Sequence, residues 1–284
     1  MGTSEPKTSN VVDVLYPVGK ILTLDANIAG DSSDQQKTIQ LKIKRQQLPY
    51  TLSSGSVVEE VSDFLDKTEG NVQFLKMFDR RAAVDLRDEK RADPWSENND
   101  NEYAKGVQSG KVATFSEQLH WNVPYYVEDG DSDWDEAEDE AFIDDEERKL
   151  YEAEIAVYDR LKEYQGICIP KILATVKLDI PPPNAALTAQ QRELHQQKGL
   201  LLQYLPGPTI QEMIVETPDA PWRNIVDQAL KIVSILGDHD VLNKDMRLEN
   251  LITLGYPDSA TQANLLRIGD GRRATAMKKG SWDS

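Results

Sequence analysis

Asn243-Lys244-Asp245-Met246-Arg247-Leu248-Glu249-Asn250 runs directly into the apolar pair Leu251-Ile252 and follows an apolar, helix-patterned segment. An aspartate, four residues and an asparagine in such a loop suit phosphoryl transfer. The aspartate takes the proton of an attacking hydroxyl, and the asparagine holds a magnesium ion that bridges the phosphates. A tight loop brings both side chains to one side. Aspartate and asparagine also cap turns with no chemistry at all, so the reading rests on partners elsewhere in the chain.

The bulk composition narrows the choice. The chain has 284 residues and a formal net charge of −17, enough material for one large domain or two lobes. Residues 128–147 (EDGDSDWDEAEDEAFIDDEE) carry 13 acids and no lysine or arginine, which leaves only −4 for the rest. The acidity is therefore local. It argues against nonspecific nucleic-acid binding, which needs a basic footprint. One cysteine, Cys168, allows no internal disulfide and fits a reducing, intracellular compartment, cytoplasmic or nuclear. The three histidines lack zinc-ligand spacing. No stretch has the length and apolarity of a transmembrane helix, so no membrane partner is expected.

Period-two patterns predict strands near 21–24, 38–44, 57–61, 72–78, 171–178 and 199–204. Helical spacing predicts helices over 146–164, 209–216 and 222–236, the last burying Ile225, Val226, Ala229, Leu230, Val233 and Leu236. The polar stretch 88–111 and the acidic run to 147 read as a long insertion, a functional loop or a partly disordered one. The order indicates an α+β chain of two lobes. Residues 1–37 form a partly disordered extension, 38–205 a lobe with an antiparallel sheet, one helix and the insertion 88–147, and 206–284 a mainly helical lobe.

Four residues then stand out in order. Lys76 lies inside the apolar strand 72–78, placed to reach phosphates or, equally, to guard a sheet edge. Glu154 shares a helix face with Val157, Tyr158 and Leu161, where an acid calls for a partner such as Lys76. Asp245 and Asn250 follow. Asp270 ends the apolar-basic-apolar run Leu266-Arg267-Ile268-Gly269, as a magnesium-binding aspartate does at a strand end. Gly55, in LSSGSVVEEV (52–61), is the one glycine of a possible phosphate-covering loop.

Taken together the chain resembles the protein kinase superfamily, and within it a group of fungal protein-kinase-like proteins. The residues that carry this are Leu75-Lys76-Met77-Phe78-Asp79-Arg80-Arg81 with Leu86-Arg87, Glu154-x3-Tyr158-x2-Leu161 with Gln165-Gly166 and Ile169-Pro170, Gly199 to Tyr204 with Pro206-Gly207, and His239 to Asn250. The resemblance covers about 50–272. It implies an ATP-Mg2+ phosphotransferase acting on a hydroxyl of an unidentified protein. Lys76, held by Glu154, would bind the α and β phosphates. Asp245 would orient or deprotonate the acceptor, and Arg247 would help neutralise the γ-phosphate. Asn250 and Asp270 would hold Mg2+, and Gly55 would lie over the phosphates. Gln203, Tyr204 and Leu205 would meet the adenine edge, with Ile252 beneath the ring.

The chain departs from that pattern in several places. Asn243 replaces the usual histidine, Gly271 and Arg272 follow Asp270 where phenylalanine and glycine are the rule, and Phe74 stands where a small residue roofs the adenine. Only 34 residues follow Asn250, so a truncated or degenerate second lobe is expected. A noncatalytic pseudokinase and a small-molecule kinase therefore stay open as alternatives.

Overall fold

The computed structural model describes residues 15–30, 36–47, 53–62, 72–121, 134–182, 186–217, 221–243, 247–254, 265–268 and 274–276. The chain is a mixed α/β protein that divides into two compact units, Met1–Lys149 with Ala174–Leu201, and Leu150–Leu173 with Leu202–Ser284.

The first unit is organised around a sheet. Strands β1 (Ile21–Ile28), β2 (Lys37–Gln47), β3 (Ser54–Glu60) and β4 (Val72–Phe78) follow one another in the chain. Strands β5 (Ile172–Asp179) and β6 (Gln196–Gln203) come much later. Alternation dictates the interior. Leu22, Leu24 and Ala26 of β1 and Ile39, Leu41 and Ile43 of β2 are buried at every second position, with polar residues between them.

The sequence predicts an antiparallel sheet with one helix, and the sheet closes into a six-stranded barrel in the order β1-β2-β3-β4-β6-β5. The reason is β1. It lies upstream of residue 38, within the stretch read as an extension, yet it pairs with β2 from Ile21↔Lys42 to Ala26↔Lys37. Its second half pairs with β5, from Asp25↔Lys177 to Ile28↔Ala174. One strand bonded on both sides removes both sheet edges. So small a barrel leaves little room between strands: a Cβ on Gly199 would lie 2.7 Å from the Lys76 carbonyl oxygen and 2.5 Å from Met77 Sδ.

The stretch 88–147, expected to lack regular structure, is largely helical where it is described. Helices α1 (Val84–Lys90), α2 (Glu97–Ser109), α3 (Lys111–Trp121) and α4 (Glu136–Arg160) account for it, and a short helix α5 (Ala189–Glu193) follows between β5 and β6. Ser96 caps α2, its hydroxyl accepting the Asn99 N–H at 3.2 Å, and Gly110 ends it at φ 84°. Gly106 lets α2 approach closely, since a Cβ there would stand 3.0 Å from both Ala137 and Val112. Helix α4 begins ten residues before the expected start at 146. Its first turn carries Glu136, Glu138 and Asp139, charges that suit a helix N-terminus. Ala137, Ala141, Phe142 and Ile143 bury its inner face.

In the second unit, helices α6 (Ile210–Glu216) and α7 (Trp222–Asp238) precede the short strand β7 (Val241–Asn243). Thr209 and Glu212 form a reciprocal capping box on α6. The burial of α7 is narrower than its pattern implies. Ile225, Ile232 and Leu236 are buried, whereas Val226, Leu230 and Val233 are 51%, 62% and 45% exposed. Apolar residues take up more of the circumference than one packing face covers. A turn of 3-10 helix (Leu248–Asn250) leads into β8 (Leu251–Leu254), which forms a hairpin with β9 (Leu265–Ile268), and β10 (Ala274–Ala276) pairs with β7. Among the described residues, no helix is long and apolar enough to cross a membrane.

Candidate functional site

Lys76 is 2% exposed, in the middle of β4. Period two puts it on one face of the strand with Phe74 and Phe78, and its ammonium lies 5.2 Å from the Phe78 ring centroid. Gly55 is its partner across the ladder. Gly55 thus sits at the head of a paired strand and not in the connecting loop, whose residues 48–52 lie outside the described set. A Cβ at Gly55 would come within 2.7 Å of Phe74 Cζ. A side chain there would have to displace the tip of the phenyl ring.

Helix α4 carries Glu140, Glu147 and Glu154 at seven-residue spacing, two turns apart on one face, and all three are buried. Glu140 receives the guanidinium groups of Arg80 and Arg87, the latter at 2.7 Å. Arg80 also pairs with Asp100 and lies 4.1 Å over the Tyr103 ring. Arg87 donates in addition to the carbonyls of Arg80 and Asp93. Beside this network Asp79 accepts from Tyr16, from the Arg81 backbone at 3.0 Å and from the Arg81 guanidinium at 2.9 and 2.7 Å. Burial opposes its charge, but the Arg81 guanidinium outweighs it and holds the Asp79 carboxyl down at about 2.

Glu147 stands in contrast. Neither carboxyl oxygen has a hydrogen-bond partner. Burial first, and the Asp79 carboxylate after it, push its pKa well above the ordinary range, with Lys76 pulling the other way. A carboxyl whose folded pKa is raised stays protonated above the pH at which the unfolded chain gives up that proton. Its burial therefore costs stability as pH rises past the ordinary glutamate value near 4.5. Glu147→Gln should raise stability at pH 7 by about 1–3 kcal/mol, and the gain should vanish near pH 4. Denaturant melts at the two pH values check this; equal shifts at both would contradict it.

Within the second unit, Glu154 is buried on α4. The Gln203 N–H donates to the Lys171 carbonyl at 2.9 Å, Tyr204 is half-buried and Leu205 buried. The chain that continues from them meets β8: Thr209 bridges to Ile252, and Thr253 donates from both its N–H and its hydroxyl to the Pro208 carbonyl at 3.0 Å. The segment proposed for the adenine edge and the residue proposed beneath the ring are thereby joined within a few residues. Asn250 is buried and donates its N–H to the Arg247 carbonyl at 3.0 Å, while Arg247 itself is exposed. The β8–β9 register ends at Leu251↔Ile268, the pair that follows Asn250 and precedes Gly269-Asp270 in the chain.

The approach to the 245 loop is braced by Arg160. Its guanidinium donates to the His239 and Asp240 carbonyls at 3.4 Å, and the His239 ring meets Tyr164 edge-on at 5.0 Å. Asp245 and Asp270 themselves lie outside the described residues. Among the described residues, no group of three or more His, Cys, Asp or Glu is arranged to hold a metal ion. Magnesium ordinarily takes one or two protein oxygens and completes its shell with phosphate and water, so an Asn–Asp pair suits it without such a cluster. Glu147 and Glu140 are not site candidates from sequence; the seven-residue spacing of acids on α4 is their signal, whereas Asp79, Arg80, Arg81 and Arg87 lie in segments that carry the family resemblance.

No protein-family model matches the chain, and no curated protein does. Among solved structures the chain is similar to a ROP18 kinase domain determined in complex with AMP-PNP and sucrose, at 11% identity and a TM-score of 0.42. The similarity covers 95% of this chain and 60% of that one. A likeness at that level does not by itself establish a fold or an activity.

Proposed function

We propose that the chain is an ATP-Mg2+-binding, protein-kinase-like phosphotransferase domain that transfers the γ-phosphate to a hydroxyl, with protein Ser/Thr as the acceptor class. The observation that carries the reading is the burial of Lys76 inside β4. A lysine buried inside a strand at this place in the motif order is where phosphate binding needs one. Lys76, held by Glu154, would bind the α and β phosphates, and Gln203, Tyr204, Leu205 and Ile252 would bound the adenine. Asn250 and Asp270 would supply oxygen ligands to Mg2+, which neutralises charge on the phosphates. Asp245 would take the acceptor proton, and Arg247, exposed at the loop, would help neutralise the γ-phosphate. The single cysteine, buried and in no disulfide, fits an intracellular setting.

A second reading has an observation of its own. Phe74 shares the face of Lys76 and packs on Gly55, which fits a pseudokinase whose adenine space is filled by a ring and which acts as an interaction module. A transfer assay on a generic Ser/Thr protein substrate decides between them. The phosphotransferase reading expects turnover by the wild type and a loss of about 10²–10⁴-fold in Asp245→Asn, the range for removing a general base. No turnover by the wild type, with ATP binding appearing only in Phe74→Ala, would select the pseudokinase.

A further inference from the structure

Glu147 takes no part in the nucleotide contacts assigned above, yet it shares the surroundings of Lys76, and both lie in the first unit. The Lys76 ammonium stands 5.2 Å from the Phe78 ring centroid, and Phe78 and Glu147 together border a cavity of about 20 Å³. That volume holds about one water molecule and is too small for a ligand. Glu147 is 2% exposed, and neither of its oxygens has a hydrogen-bond partner. A carboxyl so placed is costly as an anion, and its ionisation is set by the charges that the protein holds around it.

Those charges come from every element around it. Lys76 lies on β4 and Asp79 just after it, Arg87 on α1, and Asp144 and Arg148 on its own helix. Glu193 ends α5 and Lys198 lies on β6. Arg148 is tied to Asp144, Arg87 to Glu140 and Asp79 to Arg81. Burial foremost, and then Asp79, favours the neutral acid; Lys76 is the leading influence toward the anion. We propose that Glu147 is a positioning residue for nucleotide binding: with its proton it leaves the Lys76 ammonium to the phosphates, and without it the carboxylate competes with them for that charge. The inference rests on the phosphotransfer reading. Phosphates on Lys76 place negative charge near Glu147 and strengthen its hold on the proton, so binding takes up part of a proton. Affinity is then full at a pH below the carboxyl's titration in the free protein. It falls as pH climbs from there toward the titration in the complex.

Calorimetric titration with ATP and saturating Mg2+, from about pH 6 to about pH 9, tests this on the full chain and on Glu147→Gln, an isostere that stays neutral throughout. The γ-phosphate of ATP titrates alike in both, so the ratio of the two affinities isolates Glu147. Across that range the wild type should lose at least about threefold in affinity relative to the variant. It should also take up more protons on binding, read from how the heat varies with the ionisation enthalpy of the buffer. Glu147→Met, likewise neutral, serves if the glutamine variant misfolds. A purely structural role would change affinity by the same factor at every pH. A constant ratio, or equal proton uptake in the two proteins, would therefore overturn the inference and leave the phosphotransfer reading standing. Failure of both folded proteins to bind ATP would overturn that reading and the inference with it.

Discussion

Glu140→Ala should destabilise the first unit by about 3–5 kcal/mol, the usual cost of stripping one member from a buried ionic cluster. The carboxylate is fully buried and receives both Arg80 and Arg87. Its loss leaves two guanidinium groups facing each other in a site that water does not reach, and Asp100, a third exposed, compensates only one of them. Against a typical total stability of 5–15 kcal/mol, that loss is a large fraction. The exposed acid Glu136, one turn earlier on the same helix, gives the control: Glu136→Ala should stay within about 0.5 kcal/mol. Urea denaturation of the two variants makes the comparison. Similar midpoints would mean that the cluster is not the framework that holds α4 to the turn after β4.

The second large effect concerns Lys76. If the phosphates of ATP rest on its ammonium, Lys76→Ala should weaken Mg2+-dependent ATP binding by 10²-fold or more. One charge-assisted contact of this kind contributes about 1.5–3 kcal/mol, and its removal also forfeits pairing inside a poorly solvated site. Circular dichroism checks that the variant folds, since Glu147, buried nearby, loses a cation that favours its charged form. Lys76→Met, closer in volume, separates loss of charge from loss of packing. Equal ATP affinity in wild type and Lys76→Met would remove the lysine from the site.

Much of this arrangement is legible in the residues, and the illegible part has identifiable physical causes. The strand around Lys76 reads correctly because apolar residues surround the lysine on both sides. Helix α7 is recognisable from its spacing, but not which of its apolar residues are covered, since that depends on what packs against it. Helix α2 is hidden by composition: ENNDNEYAKGVQS has few apolar residues, and only Tyr103, Gly106 and Val107 are buried. Ser96 and Gly110 were the available start and stop signals. The acidic half of α4 reads as solvated chain because its acids outnumber its apolar residues, yet four of those apolar residues and Glu140 form its packed face. Barrel closure has no local signature at all, because it is decided by β1 and β5 pairing across nearly 150 residues. Of the candidate site, Lys76, Glu154 and Asn250 are each buried. The contact between Phe74 and Gly55 could be suspected from the bulk of Phe74 but required the register of β3 on β4 to be seen.

The central claim is that Lys76 and the Asp245–Asn250 loop serve one nucleotide. Calorimetric titration of the full chain with ATP, with and without Mg2+, tests it most directly. The account predicts saturable binding that strengthens on adding Mg2+, falls at least 10²-fold in Lys76→Ala, and loses its Mg2+ dependence in Asn250→Ala. Absence of ATP binding in the folded wild type, or binding indifferent to both Mg2+ and Lys76, would contradict it.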